Sequence, residues 1–171
     1  EAFITRGVEA IMAAAPGIKV IDAIKAAEEK GDGPYCSFEY FPPKTRPGVH
    51  NLFKRFYRMA QQKPLFADVT WGAGGSTSDL TLELATNAKK HFGLELNMHL
   101  TCTNMEEKKI FDALEECKKS GIVNICALRG DPPAGQDKWE ATEGGFTCAL
   151  DLIRFIRKEH GDYFGISCAG Y

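Results

Sequence analysis

From Tyr35 to Ala169 the chain repeats one pattern: a short apolar run, a loop rich in glycine, proline or charge, then an amphipathic stretch of several helical turns. The runs at 35–40, 66–71, 94–100, 122–128 and 163–169 read as strands. The stretch after Pro43-Lys44 and those at 80–92, 105–119 and 146–160 read as helices, the first with an apolar stripe of Leu52, Phe53, Phe56, Tyr57 and Met59. Strand, loop and helix recurring at about 30 residues is the spacing of the βαβ unit, whose crossover is right-handed. The expected fold class is therefore α/β with a parallel sheet, either open or closed as a barrel.

The loops separate those two architectures. The helix-to-strand turns are short and plain, at Lys63-Pro64, Gly93 and Ser120-Gly121. Each strand-to-helix loop instead carries polar, charged or glycine residues, as expected where all strand carboxyl ends form one active face, the arrangement of a (β/α)8 TIM barrel. Such a barrel usually takes about 250 residues, and this chain of 171 stops just after its fifth strand. The expectation is a barrel represented by its first five strands and cut before closure, with an open sheet edge and little activity in isolation. Ahead of it, helical patterns at 2–14 and 18–30 flank Pro16-Gly17, and the second stops at Gly31 with Gly33-Pro34. Residues 1–34 are thus expected to form a helical extension covering the bottom of the domain, and 35–171 the first part of the catalytic domain.

Composition excludes several functions. Lys and Arg number 21 against 23 Asp and Glu, a formal charge of −2 with no block of one sign, so no nucleic-acid footprint is expected. No apolar run approaches the roughly 20 residues that span a bilayer, and the first residues do not read as a secretory signal. The six cysteines show no CxxC pairing, and several sit in apolar runs as small hydrophobes. A reducing, cytoplasmic setting without a bound metal is expected.

Candidate chemistry lies at the strand ends. In Asn124 to Pro133 an apolar run breaks into Leu128-Arg129-Gly130-Asp131-Pro132-Pro133. The first half reads as a strand buried on both faces. The prolines cannot continue it, and the glycine permits a turn or close approach to a ligand. Arg129 and Asp131 therefore fall at a strand carboxyl end. Glu39 is flanked in sequence by Phe38, Tyr40 and Phe41. A carboxyl desolvated by those rings is expected to have a raised pKa and to serve as a general acid. The loop Gly72 to Thr77 could turn backbone N–H groups toward a phosphate, but matches neither GxxxxGK[ST] nor GxGxxG. His99 and Cys102 have no second ligand pair at zinc spacing. Thr103 or Asn104 is expected to cap the following helix. The polar segment 136–145 is long enough to cover a ligand, and His50, His91 and His160 are expected at the surface.

Together, SFEYFPPKT at 37–45, DVTWGAGGST at 68–77, HLTCTNM at 99–105, ALRGDPP at 127–133 and FGISCAGY at 164–171 resemble the methylenetetrahydrofolate reductase family in order and spacing. The resemblance covers residues 18–171. It implies a (β/α)8 barrel that binds FAD at its carboxyl face. A nicotinamide donor, NADH or NADPH, reduces the flavin, which in turn reduces 5,10-methylenetetrahydrofolate to 5-methyltetrahydrofolate. That reaction serves tetrahydrofolate interconversion and methionine biosynthesis. The resemblance further implies a cytoplasmic homo-oligomer. Position by position, Glu39 matches the general acid that assists opening of the folate imidazolidine ring to a 5-iminium cation. Asp131 matches a carboxylate near flavin and folate, where negative charge favours the cation and disfavours an anionic reduced flavin. Both are thereby substrate-binding as well as catalytic candidates. Thr70, Trp71, His99, Leu128, Arg129, Gly130, Asp131, Ala149 and Tyr171 match FAD contacts. Cys148 departs from the tyrosine often found at its position, and the PEGHPEA-like segment and C-terminal regulatory domain lie outside the sequence. The alternatives from other classes are a non-catalytic flavin- or phosphate-binding module and a structural truncation product.

Overall fold

The computed structural model describes residues 17–31, 33–71, 78–132, 135 and 138–169. The helix expected over 2–14, the Gly72 to Thr77 loop and Tyr171 lie outside those residues.

Five parallel strands form one sheet in chain order: β1 (Ser37–Tyr40), β2 (Phe66–Val69), β3 (Leu96–Thr101), β4 (Asn124–Leu128) and β5 (Gly165–Cys168). Helices α2 (Arg46–Ala60), α3 (Ser78–Phe92), α4 (Glu107–Lys119) and α5 (Ala149–His160) connect them, and α1 (Val20–Lys30) leads. A doubly wound sheet reverses its order at a switch point. The unbroken order here is instead the winding that opens a (β/α)8 barrel.

Alternation along the strands sends apolar side chains to the helices. Ala67, Val69, Met98, Leu100, Ile125 and Ala127 are buried in one core with Leu84, Ile110, Leu114, Leu152 and Phe164 from the helical side. At the β1 end, Tyr40 meets Phe56 edge to face at 4.7 Å, and Phe53 and Phe92 extend the aromatic cluster. Tyr57, included in the expected stripe of α2, is 62% exposed. Of the strand predicted to be buried on both faces, Ile125 and Ala127 are buried while Cys126 and Leu128 are partly open. The difference lies in the second face, where nothing of the described chain packs as the helices do.

Beneath the sheet, the side chain of Asn124 gathers the leading segment. Its amide donates to the carbonyls of Ile18 (2.9 Å) and Leu96 (3.3 Å), and its oxygen accepts from Val20 N (2.8 Å). Glu95 accepts from Ile18 N (3.1 Å) and pairs with the largely buried Lys89 (2.8 Å). Thus α1, which has no fully buried residue, and the residues before it are held by polar contacts at the amino ends of the strands. Gly31 ends it at φ 68, returning its N–H to Ala27 and Glu28.

Two local expectations are corrected. Helix α4 is capped by neither Thr103 nor Asn104. It begins after Glu106, without a side-chain cap bond, and its first amide donates to the Gly144 carbonyl at 3.0 Å. The 138–145 segment supplies that acceptor, so Thr103 is released for another task. His160 is not at the surface, although His50 and His91 are. Its side chain is 1% exposed, stacked on Phe111 at 5.7 Å and edge-on to Phe164 at 5.5 Å. Burial, then the nearby Lys118, holds its pKa below the ordinary value, against Glu115 and Glu159.

Candidate active face at the strand carboxyl ends

The strand face turned away from the helices is polar. Register pairs Glu39 with Asp68, Asp68 with Asn97, and His99 with Cys126 and Cys126 with Ser167. A single carboxylate oxygen, Oδ1 of Asp68, accepts from Asn97 Nδ2 at 2.8 Å and lies 3.2 Å from His99 Nε2. Asn97 continues to the Ser167 hydroxyl at 3.2 Å. Burial raises the Cys126 thiol pKa, opposed by its hydrogen bond with Ser167, so Cys126 sits in this network as a neutral thiol. His99, on β3, is thereby held against Asp68 of β2, whose other partner Asn97 links on to β5.

Glu39 stands on this face and is exposed. The expectation that Phe38, Tyr40 and Phe41 desolvate it is corrected. Residues adjacent in a strand point to opposite faces, so Tyr40 and Phe38 turn to the helices, while Phe41 is 68% exposed. Its candidate role therefore rests on position at a strand end rather than on an aromatic pocket.

The matched cofactor positions divide. Leu128, Arg129 and Ala149 line one cleft of about 520 Å³ with Cys148, Leu150 and Ala169. Thr70, at the carboxyl end of β2, is nearly buried and tied to the frame: its amide donates to Tyr40 O (2.9 Å), and its carbonyl accepts from the Thr81 hydroxyl (3.2 Å). Trp71 goes elsewhere. Its buried indole lines a crevice with Leu82, Met105 and Lys109, between α3 and α4, so only its backbone is available to the active face. Cys148 precedes α5, its thiol donating to Asp151 (3.4 Å), whose carboxyl is held below the usual range by Thr147 and then Cys148. Burial pushes the Cys102 thiol up to about 12, with Cys148 adding to the effect.

Beyond β4 the chain turns through Arg129, Gly130 and Asp131, with Arg129 and Asp131 exposed. Gly130 has φ 87, and a Cβ there would lie 2.5 Å from Thr103 Oγ1. That hydroxyl contacts the carbonyls of Arg129 and Asp131, both at 3.1 Å, and accepts from Trp139 Nε1 at 2.7 Å. Arg129 lies over the Trp139 ring, 5.5 Å from its centroid. The segment expected to cover a ligand thus places its tryptophan against the β4 turn. Asp68, Asn97, Ser167, Thr103 and Trp139 were not singled out as site residues. Period-two alternation from His99 reaches Asn97, whereas the others require knowledge of which strands are neighbours.

Parallel strands in chain order define a protein of the β/α-barrel class, and the polar side chains at and below their carboxyl ends make that edge the candidate site. The methylenetetrahydrofolate reductase family profile matches residues 23–171. The chain belongs to the methylenetetrahydrofolate reductase family. It is 56% identical over 154 residues to methylenetetrahydrofolate reductase (NADH) 1 of Arabidopsis thaliana and 59% identical over 155 residues to the Zea mays protein of that name. Each alignment covers 90% of this chain and 26% of the relative. A probable methylenetetrahydrofolate reductase (NADPH) of Caenorhabditis elegans is 34% identical over 142 residues, covering 80% of this chain and 21% of the relative. The chain therefore spans about a quarter of the length of these curated relatives.

Proposed function

We propose that residues 35–171 are the opening part of an FAD-binding catalytic domain, preceded by a helical extension over 1–34. The protein containing them reduces 5,10-methylenetetrahydrofolate to 5-methyltetrahydrofolate with a nicotinamide donor. The observation that carries this reading is the convergence of Leu128, Arg129 and Ala149 on one cleft, beside the turn that presents Asp131. The chemistry of the lining fits the cofactor: aliphatic walls from Leu128, Ala149 and Leu150 suit a flat ring system, and the Arg129 guanidinium suits phosphate. FAD, when bound, supplies the hydride acceptor and donor that amino-acid side chains lack.

The chain's own residues do the rest. Leu128, Arg129 and Ala149 bind at the cleft, with Gly130 in the adjoining turn and the Thr70 and Trp71 backbone and His99 completing the face; Tyr171, outside the described residues, is a further proposed contact. Glu39 gives a proton to the folate amine as the imidazolidine ring opens. Asp131 places negative charge where the 5-iminium cation develops, the kind of fixed electrostatic contribution that dominates many catalysed steps. The relatives at 56–59% identity carry NADH in their names and the one at 34% carries NADPH, which favours NADH as the donor.

The test, made on the longer protein that contains these residues, is a flavin absorbance and fluorescence titration with FAD, paired with Asp131→Asn and turnover with methylenetetrahydrofolate. Saturable FAD binding is expected in both proteins, with folate reduction lowered about 100-fold in the variant, the scale for losing one transition-state stabiliser. FAD binding without any folate reduction would leave a flavin-binding module. Absence of FAD binding would refute the reading.

A further inference from the structure

Thr103 is 1% exposed, yet it belongs to no strand or helix and caps none. A buried hydroxyl without such a task is expensive unless its polar capacity is used. Here its proton and an acceptor lone pair are both used. Thr103 Oγ1 has one proton to share between the Arg129 and Asp131 carbonyls, and it accepts from the Trp139 indole. The same atom occupies the space a side chain at residue 130 would need. The indole it holds then carries the Arg129 guanidinium on its face, where Nε donates to the Gly130 carbonyl at 3.5 Å and the terminal N–H groups are left to meet an oxyanion. Backbone and side chain of the turn are thus braced through one oxygen. Cys102 N, adjacent in sequence, adds a bond to the Arg129 carbonyl at 3.1 Å.

We infer that Thr103 and Trp139 are positioning residues: together they hold the Arg129-Gly130-Asp131 turn in the shape that presents a guanidinium and a carboxylate to one ligand. Neither touches the reacting atoms in this scheme. The inference rests on the FAD reading only for the identity of that ligand.

The experiment compares wild type with Thr103→Val, which keeps shape and loses the hydroxyl, Thr103→Ser, which keeps the hydroxyl, and Trp139→Phe, which keeps a ring and loses the N–H. Two readouts are taken. Without ligand, NMR follows hydrogen exchange of the Trp139 indole N–H, with Trp71, buried between α3 and α4, as the internal reference. With ligand, FAD affinity is titrated. The brace predicts a protected Trp139 indole in wild type, exchange at least about tenfold faster in Thr103→Val, and FAD affinity weakened about tenfold in Thr103→Val, the cost of one buried hydrogen bond left unmade. Thr103→Ser restores both within about threefold, and Trp139→Phe weakens FAD in the same direction as Thr103→Val. An indole unprotected in wild type, or unmoved in Thr103→Val, overturns the brace. An indole released in Thr103→Val with unchanged FAD affinity overturns its positioning role. Should Thr103→Val not fold, wild-type indole protection and the affinity of Trp139→Phe decide instead. If wild type binds no FAD, the cofactor reading falls, and the indole exchange alone decides the brace.

Discussion

Replacing Gly130 by alanine loads the β4 turn at a point where two independent penalties meet. At φ 87 an L-residue sits on the left-handed side of the map, costing about 1–2 kcal/mol. The new methyl carbon would also lie 2.5 Å from Thr103 Oγ1 and 3.1 Å from Thr101 Cβ. Rotating Thr103 aside relieves the first contact, but leaves the Trp139 N–H and the turn carbonyls without their partner, at about 1–3 kcal/mol. The sum is about 2–5 kcal/mol, a large share of a stability of about 5–15 kcal/mol. Urea denaturation followed by far-ultraviolet circular dichroism should show the midpoint lowered by about 2 M. The assignment of the steric part to Thr103 is tested in a Thr103→Ala background, which deletes the clashing oxygen. There Gly130→Ala should cost only its backbone share and the residual contact with Thr101, giving a coupling of about 1–3 kcal/mol. A cost below about 1 kcal/mol, or equal costs in the two backgrounds, would refute the reasoning.

Two further outcomes follow from buried polar groups. The folded-state pKa of His160 is depressed, so its contribution is fully present above the unfolded value near 6.5 and lost as pH falls through the lower folded value. Thermal unfolding from about pH 7 to about pH 5 should show a falling midpoint that His160→Phe flattens, and an identical slope in the variant would show that other groups dominate. Asn124→Ala removes three hydrogen bonds to the leading segment and to Leu96, and should cost about 2–3 kcal/mol. Limited proteolysis should then cut first within Val20–Lys30, and a cleavage pattern unchanged from wild type would locate the anchor elsewhere.

Much of this architecture is legible in the amino-acid order. The alternation of short apolar runs with amphipathic stretches determined five strands and the helices between them, because each element's period is a local property of the chain. Plain helix-to-strand turns and loaded strand-to-helix loops pointed to the candidate edge, and the motif series placed the family. Element starts were less legible. The helix expected from Phe146 begins at Ala149, while Phe146 packs on Phe155 at 5.0 Å, since an apolar residue can fill a core without being helical.

Tertiary structure decided the environments. Glu39 is flanked by aromatic residues in sequence yet exposed in the fold, because neighbours along a strand occupy opposite faces. His160 looks like a surface residue at the end of a helix, until Phe111 from α4 and Phe164 close over it. Thr103 looks like a helix cap until partners 26 and 36 residues away claim its hydroxyl. Local pattern fixes where a side chain sits along its own element. What surrounds it depends on which distant elements become neighbours, and it is that surrounding which sets burial, hydrogen bonding and charge.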